Sequence, residues 1–253
     1  MRIELRGVGL DFATRSGRVR ALEGLDLTVS PNEFVGILGP SGCGKTSILG
    51  MIAGLRRPSS GTIAFPGWTG PRPPRCLMAF QEHGLLPWLS VLDNACFGLE
   101  AQGVPVASRE ARAMAVLRRV GLADFAAARP SQLSGGMRQR VALARLFVSD
   151  ADVLLLDEPF SALDAQTRVV LQQELLDLWT GTGRSVVYVT HDIEEALLLC
   201  DRVVLLSARP GRVIADITVP FARPRRILGA PPAEVAALRW RIWDMLAPLA
   251  TVA

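Results

Sequence analysis

Cysteine is scarce and scattered. The four residues stand at Cys43, Cys76, Cys96 and Cys200, with no CxxC pair and no metal-ligand spacing. That argues against a disulfide framework and fits a reducing compartment. Aromatic residues make up 6% of the chain, with a single tyrosine, so Leu, Val and Ala carry the apolar weight. Histidine occurs twice, at His83 and His191. Neither sign of charge is in large excess: 28 Lys and Arg against 24 Asp and Glu give +4, short of the dense basic stripe that nucleic-acid binding requires. No apolar run nears the roughly 18 residues that span a bilayer. The opening Met1-Arg2-Ile3-Glu4-Leu5-Arg6 lacks the apolar core of a signal peptide. These absences predict a soluble intracellular protein that forms no membrane path of its own. No internal repeat is present.

What is there suits one large domain with an inserted lobe: 253 residues, 49% of them hydrophobic, enough to bury a core and to exclude disorder as the main state. Glu33 to Leu38 is a nearly continuous apolar run that reads as a strand buried on both faces. Val153 to Leu156, Ser185 to Thr190 and Arg202 to Leu206 read the same way. Helical stretches lie between them, at Thr46 to Leu55, Gln166 to Trp179 and Ile193 to Cys200. Alternating strands and helices predict a parallel α/β sheet. Residues 1–30, with short alternating runs, predict a small antiparallel layer. Residues of about 84–150 offer no good strand and predict a helical insertion, with Ser108 capping a helix that Gly121 stops. Pro220 to Pro232 reads as a linker. Beyond it Val235, Leu238, Ile242, Met245 and Leu249 recur at helical spacing, an apolar side that either packs on its own domain or meets a partner.

Gly39-Pro40-Ser41-Gly42-Cys43-Gly44-Lys45-Thr46 follows the strand and opens the helix, with the spacing of a phosphate-binding loop. Glycines let backbone N–H groups turn toward phosphate oxygens, and the helix start points its positive end at the same anion. Lys45 supplies a cation to the β- and γ-phosphates, and Thr46 a hydroxyl to Mg²⁺. Cys43 is either a reactive thiol near the helix start or a small filler. The strand Val153-Leu154-Leu155-Leu156 ends in Asp157 and Glu158. With a phosphate loop upstream, Asp157 is a candidate Mg²⁺ ligand and Glu158 a candidate general base that activates water.

Leu133-Ser134-Gly135-Gly136-Met137 resembles the LSGGQ signature of the ATP-binding-cassette (ABC) family, with Met137 where that family carries Gln. Other family motifs fall in order. Phe80-Gln81 matches the Q-loop, Ser161-Ala162-Leu163-Asp164 the D-loop and His191 the H-loop. Phe12 occupies the place of the adenine-stacking aromatic, with ordinary core packing as the alternative. The resemblance covers residues 3–215. It implies a P-loop NTPase core with an antiparallel β layer and a helical subdomain, within an ATPase domain over residues 1–219, followed by a linker and C-terminal helix over 220–253. It implies an ATP site formed by Phe12, Gly39, Pro40, Ser41, Gly42, Cys43, Gly44, Lys45, Thr46 and Ser47, with Ser134, Gly135, Gly136 and Asp164. Catalytic roles fall to Glu158, His191, Gln81 and Lys45, and Mg²⁺ to Thr46, Gln81 and Asp157.

The resemblance further implies a head-to-tail homodimer in which Lys45 of one copy and Ser134 of the other close on one ATP. Separate membrane permease subunits and a substrate-binding protein would complete a transporter at the cytoplasmic face of a bacterial inner membrane. Leu85, Leu86, Pro87 and Trp88 are either a permease anchor or packing within the lobe. The run from Phe80 to Asn94, and Leu206-Ser207-Ala208-Arg209-Pro210-Gly211-Arg212, are similar to nitrate, sulfonate and taurine importers. The competing readings are an ABC ATPase working on nucleic acid or ribosomes, and a scaffold switched by ATP without hydrolysis.

Overall fold

A computed structural model describes residues 1–14, 17–80, 84–223, 225 and 233–250. The chain opens with β1 (Ile3–Thr14) and β2 (Gly17–Val29). It continues through β3 (Phe34–Leu38), α1 (Lys45–Ile52), β4 (Ser60–Ala64) and β5 (Cys76–Ala79). Three helices follow: α2 (Val91–Ala101), α3 (Val106–Arg119) and α4 (Gly135–Val148). The rest alternates as β6 (Val153–Asp157), α5 (Ala165–Trp179), β7 (Ser185–Val189), α6 (Ile193–Leu199), β8 (Arg202–Leu206) and β9 (Val213–Thr218), with α7 (Ala233–Ala250) last.

The central sheet runs β5-β6-β7-β3-β8-β9, parallel except for β9. Its middle strands are buried on both faces because successive side chains leave on opposite sides. Phe34 and Leu38, Leu154 and Leu156, Val186 and Tyr188 enter one core. Val35 and Ile37, Val153 and Leu155, Val187 and Val189 enter the other. The second core is closed by α1 and by the antiparallel sheet β2-β1-β4. The first reaches into the helical insertion through Ala95, Leu99, Leu117 and Leu143.

Most expected strands and helices are found within a residue or two, and the differences have local causes. Helix α3 begins at Val106, so Ser108 lies inside its first turn. Pro105 takes the capping position with φ −55° and its carbonyl accepts from the N–H groups of Ser108 and Arg109, both at 3.0 Å. Helix α1 stops at Ile52 because Gly54 turns left-handed (φ +73°). Strands β4, β5 and β9 are half-exposed and carry no long apolar run to announce them. All four cysteines are free thiols. Among the described residues no helix is long and apolar enough to cross a membrane. Most of the expected linker lies outside the described residues.

Candidate nucleotide site

Strands β3, β7 and β6 are neighbours, so the segments leaving their carboxyl ends converge, where open parallel sheets hold ligands. The loop after β3 is packed from below. A side chain at Gly39 would meet Cys43 Sγ at 2.9 Å. Gly42 (φ +75°) and Gly44 (φ +101°) take the left-handed backbone that lets the loop curl into α1. The Lys45 ammonium is buried and donates to the carbonyls of Gly39 (2.8 Å) and Pro40 (3.1 Å), leaving one of its three N–H groups for an anion. Lys45 is the only lysine in the chain. Cys43 is fully buried, and burial pushes its thiol up, so it is the filler and not a reactive group.

Asp157 ends β6 at 7% exposure. Burial raises its pKa, opposed by a hydrogen bond from the Thr46 hydroxyl. Two hard oxygen donors thus meet at the foot of the phosphate loop, the sparse protein set suited to Mg²⁺ that keeps its phosphates and waters. Among the described residues no cluster of three His, Cys, Asp or Glu could hold a metal by itself. Glu158 turns out of the strand with φ +44°, a backbone state costing roughly 1–2 kcal/mol in an L-residue. Its N–H donates to Val189 at 2.9 Å, and the Ser161 hydroxyl donates to its carbonyl at 3.0 Å. The turned side chain places Oε2 2.9 Å from His191 Nδ1 and Oε1 4.0 Å from Lys45 Nζ.

The His191 loop is held from beneath by buried polar groups. The Thr190 hydroxyl donates to Glu195 and accepts from the Asp192 N–H at 3.0 Å. Gln172 on α5 donates to the other Glu195 oxygen at 2.8 Å. Asp192 caps α6 through the N–H groups of Glu194 and Glu195. None of Thr190, Glu195 or Gln172 was singled out in the sequence. Their only signal is polar residues falling on faces that are otherwise apolar.

Lys45, Thr46, Asp157, Glu158 and His191 therefore come together in one chain. Ser134 does not join them: among the described cavities, neither the one at Glu158 and His191 nor the one at Gly39, Pro40 and Ser41 is lined by Ser134, Gly135 or Gly136. Ser134 is exposed and caps α4, accepting from Met137 N at 3.3 Å. Gly136 lies against α5, where a side chain would come within 2.8 Å of Thr167 Cγ2. Asp164 caps α5 through Thr167 N–H, which holds its carboxyl below the usual range. Phe12 is half-buried, with the Arg56 guanidinium 4.6 Å from its ring centre. Ser47 is half-buried on α1. Gln81 and His83 lie outside the described residues. Trp88 is exposed, on a loop that buried Asn94 ties down by accepting from Leu86 N–H and donating to the carbonyls of Leu86, Leu89 and Ser90.

One support of the site comes from a segment that the sequence marked only by its family likeness, not by any chemistry of its own. The segment after β8 buttresses the phosphate loop. Arg209 donates to the Gly42 carbonyl (3.2 Å), and Gly211 lies so close that a Cβ there would sit 2.1 Å from the Cys43 carbonyl oxygen.

A family model described as ABC transporter matches residues 22–161. Taurine import ATP-binding proteins TauB of Burkholderia thailandensis and Chromobacterium violaceum are 48% and 50% identical, over 85% and 80% of this chain and 84% and 78% of theirs. An uncharacterized ABC transporter ATP-binding protein of Methanocaldococcus jannaschii is 46% identical over 89% of this chain and 85% of its own. Among solved structures, the dimeric ATP-binding cassette MJ0796, in a post-hydrolysis state bound to ADP and Pi, is similar with a TM-score of 0.75. Its identity is 30%, covering 87% of this chain and 100% of that one. A phosphate loop, an acidic strand end and a histidine loop on neighbouring strands, together with this degree of likeness, establish that the chain belongs to the ABC transporter family and is an ATPase.

Proposed function

We propose that this chain is the ATP-hydrolysing subunit of an importer, working as a head-to-tail pair beneath separate membrane permease subunits. The observation that carries the reading is the 2.9 Å contact between Glu158 Oε2 and His191 Nδ1 beside the Lys45 loop, with a second helix N-terminus, capped by Ser134, outside that cleft. One triphosphate has one γ-phosphate. A second copy that brings its Ser134, Gly135 and Gly136 over the first copy's Lys45 uses both devices at once.

In that arrangement the amides of Gly42 and Gly44 and the third Lys45 N–H take the phosphate oxygens. Thr46 and Asp157, with Gln81, hold Mg²⁺, which neutralises phosphate charge when bound. Glu158 accepts a proton from the attacking water, and His191 orients Glu158. Phe12 offers a ring to adenine. Bound triphosphate joins the two copies, and hydrolysis weakens the bridge, so closure and opening follow the nucleotide. Trp88 with Leu85 and Leu86 is the permease-facing contact in this reading. The likeness to the TauB proteins supports taurine, another sulfonate, nitrate or a comparable small solute as cargo, with a substrate-binding protein acting upstream.

Glu158→Gln tests the core of the proposal. It should lower kcat at least 100-fold and, with Mg-ATP, trap a dimer in size-exclusion chromatography with light scattering. A variant that stays monomeric with ATP bound contradicts the pairing. Cargo is tested by growth of a strain lacking this chain on taurine or an alkanesulfonate as sole sulfur source, or on nitrate as sole nitrogen source.

A further inference from the structure

Helix α7 is anchored by one side only. Ile242 is fully buried, Val235, Leu238 and Met245 pack on the same core, and Arg239 pairs with Glu194 of α6 at 2.6 Å. The opposite side carries Trp240 and Trp243, 56% and 55% exposed. Three residues apart, they share one helix face. Neither indole is needed to hold the helix down. Arg239, fixed by Glu194, sits 5.1 Å from the Trp240 ring centre and pre-orders it.

These two rings form one wall of a cleft of about 930 Å³ whose other wall is Gly39, Pro40, Ser41 and His191. The tryptophan face is thus continuous with the mouth of the nucleotide site. A surface that covers the loop at Gly39, Pro40 and Ser41 comes beside it. Large, half-exposed, pre-ordered aromatic side chains are the kind of surface that carries association energy.

We propose that the Trp240–Trp243 face of α7 is a docking surface for a second copy of this chain, covered when two copies close over ATP. The inference rests on the paired reading given above and adds to it a contact outside the nucleotide motifs. A partner that delivers Ser134 to the Lys45 loop closes the cleft from the side that the indoles flank. The surface therefore makes closure depend on α7 as well as on ATP.

The test uses the full chain carrying Glu158→Gln, with and without Mg-ATP, followed by light scattering and tryptophan emission. The expected result is an ATP-dependent dimer with a blue-shifted emission less open to acrylamide quenching. Adding Trp240→Ala and Trp243→Ala should weaken dimerisation about tenfold or more and remove the emission change, while Trp240→Phe with Trp243→Phe restores the dimer. A dimer that forms equally well without the indoles overturns this inference alone. No dimer with ATP in the Glu158→Gln chain overturns the paired reading first. Unchanged dimerisation, together with loss of binding to anionic phosphatidylglycerol vesicles in the alanine variant, also overturns it, in favour of a lipid surface.

Discussion

Glu195 is 6% exposed and lies between the Thr190 hydroxyl and the Gln172 amide. Burial raises its pKa above the ordinary 4.5, with those two hydrogen bonds pulling the other way. An acid that titrates higher in the folded chain than in the unfolded one holds its proton more tightly when folded. It therefore adds stability in full below 4.5, and that stability is lost as pH rises through the folded-state value. Glu195→Gln should flatten this part of the Tm–pH curve above 4.5, read by differential scanning fluorimetry. An equally steep curve in the variant would remove Glu195 as a titrating group. Because Thr190 precedes His191, the same change should lower kcat more than it alters KM for ATP. Glu158, by contrast, is placed by its backbone: the left-handed turn carries its carboxylate to His191.

At the scale of elements, the segment joining β8 to β9 acts on the phosphate loop. Gly211→Ala places a Cβ 2.1 Å from the Cys43 carbonyl oxygen, so backbone has to move. The expected cost is on the order of 1–3 kcal/mol of stability, with ATP affinity reduced about tenfold, measured by denaturant unfolding and by titration with a fluorescent ATP analogue. Unchanged affinity would show that the buttress is not needed. This contact also marks the border of what the sequence makes legible. Gly39 to Thr46, Asp157 with Glu158, and His191 could be read directly, because each is a short run tied to one strand end and its chemistry is local. Strands β3, β6, β7 and β8 were legible as apolar runs. Gly211 against Cys43, Gln172 against Glu195 and Gly136 against Thr167 depend on chain segments far apart in sequence, and no spacing rule brings them together. Strand β5 was hidden by its half-buried Cys76–Ala79 stretch next to a proline-rich segment.

The whole molecule places its two cores on the two faces of one sheet, and the nucleotide residues at the edge where both end. A ligand held there binds only the folded chain, so it raises apparent stability by mass action. ATP at about 100 times its dissociation constant should add about 2.7 kcal/mol, a Tm rise of roughly 5–10 °C for a domain of this size. Lys45→Ala should lose that rise while unfolding normally without nucleotide. A variant stabilised as much as the parent would place the triphosphate elsewhere. Lys45 has one more consequence. As the only lysine in these 253 residues, it concentrates side-chain amine chemistry at the loop between β3 and α1. An acylating reagent, an acetyl mark or a lysine-directed cross-linker that reacts with a side chain of this protein reports on that loop alone. Nucleotide should shield it, and an adduct there should abolish ATP hydrolysis.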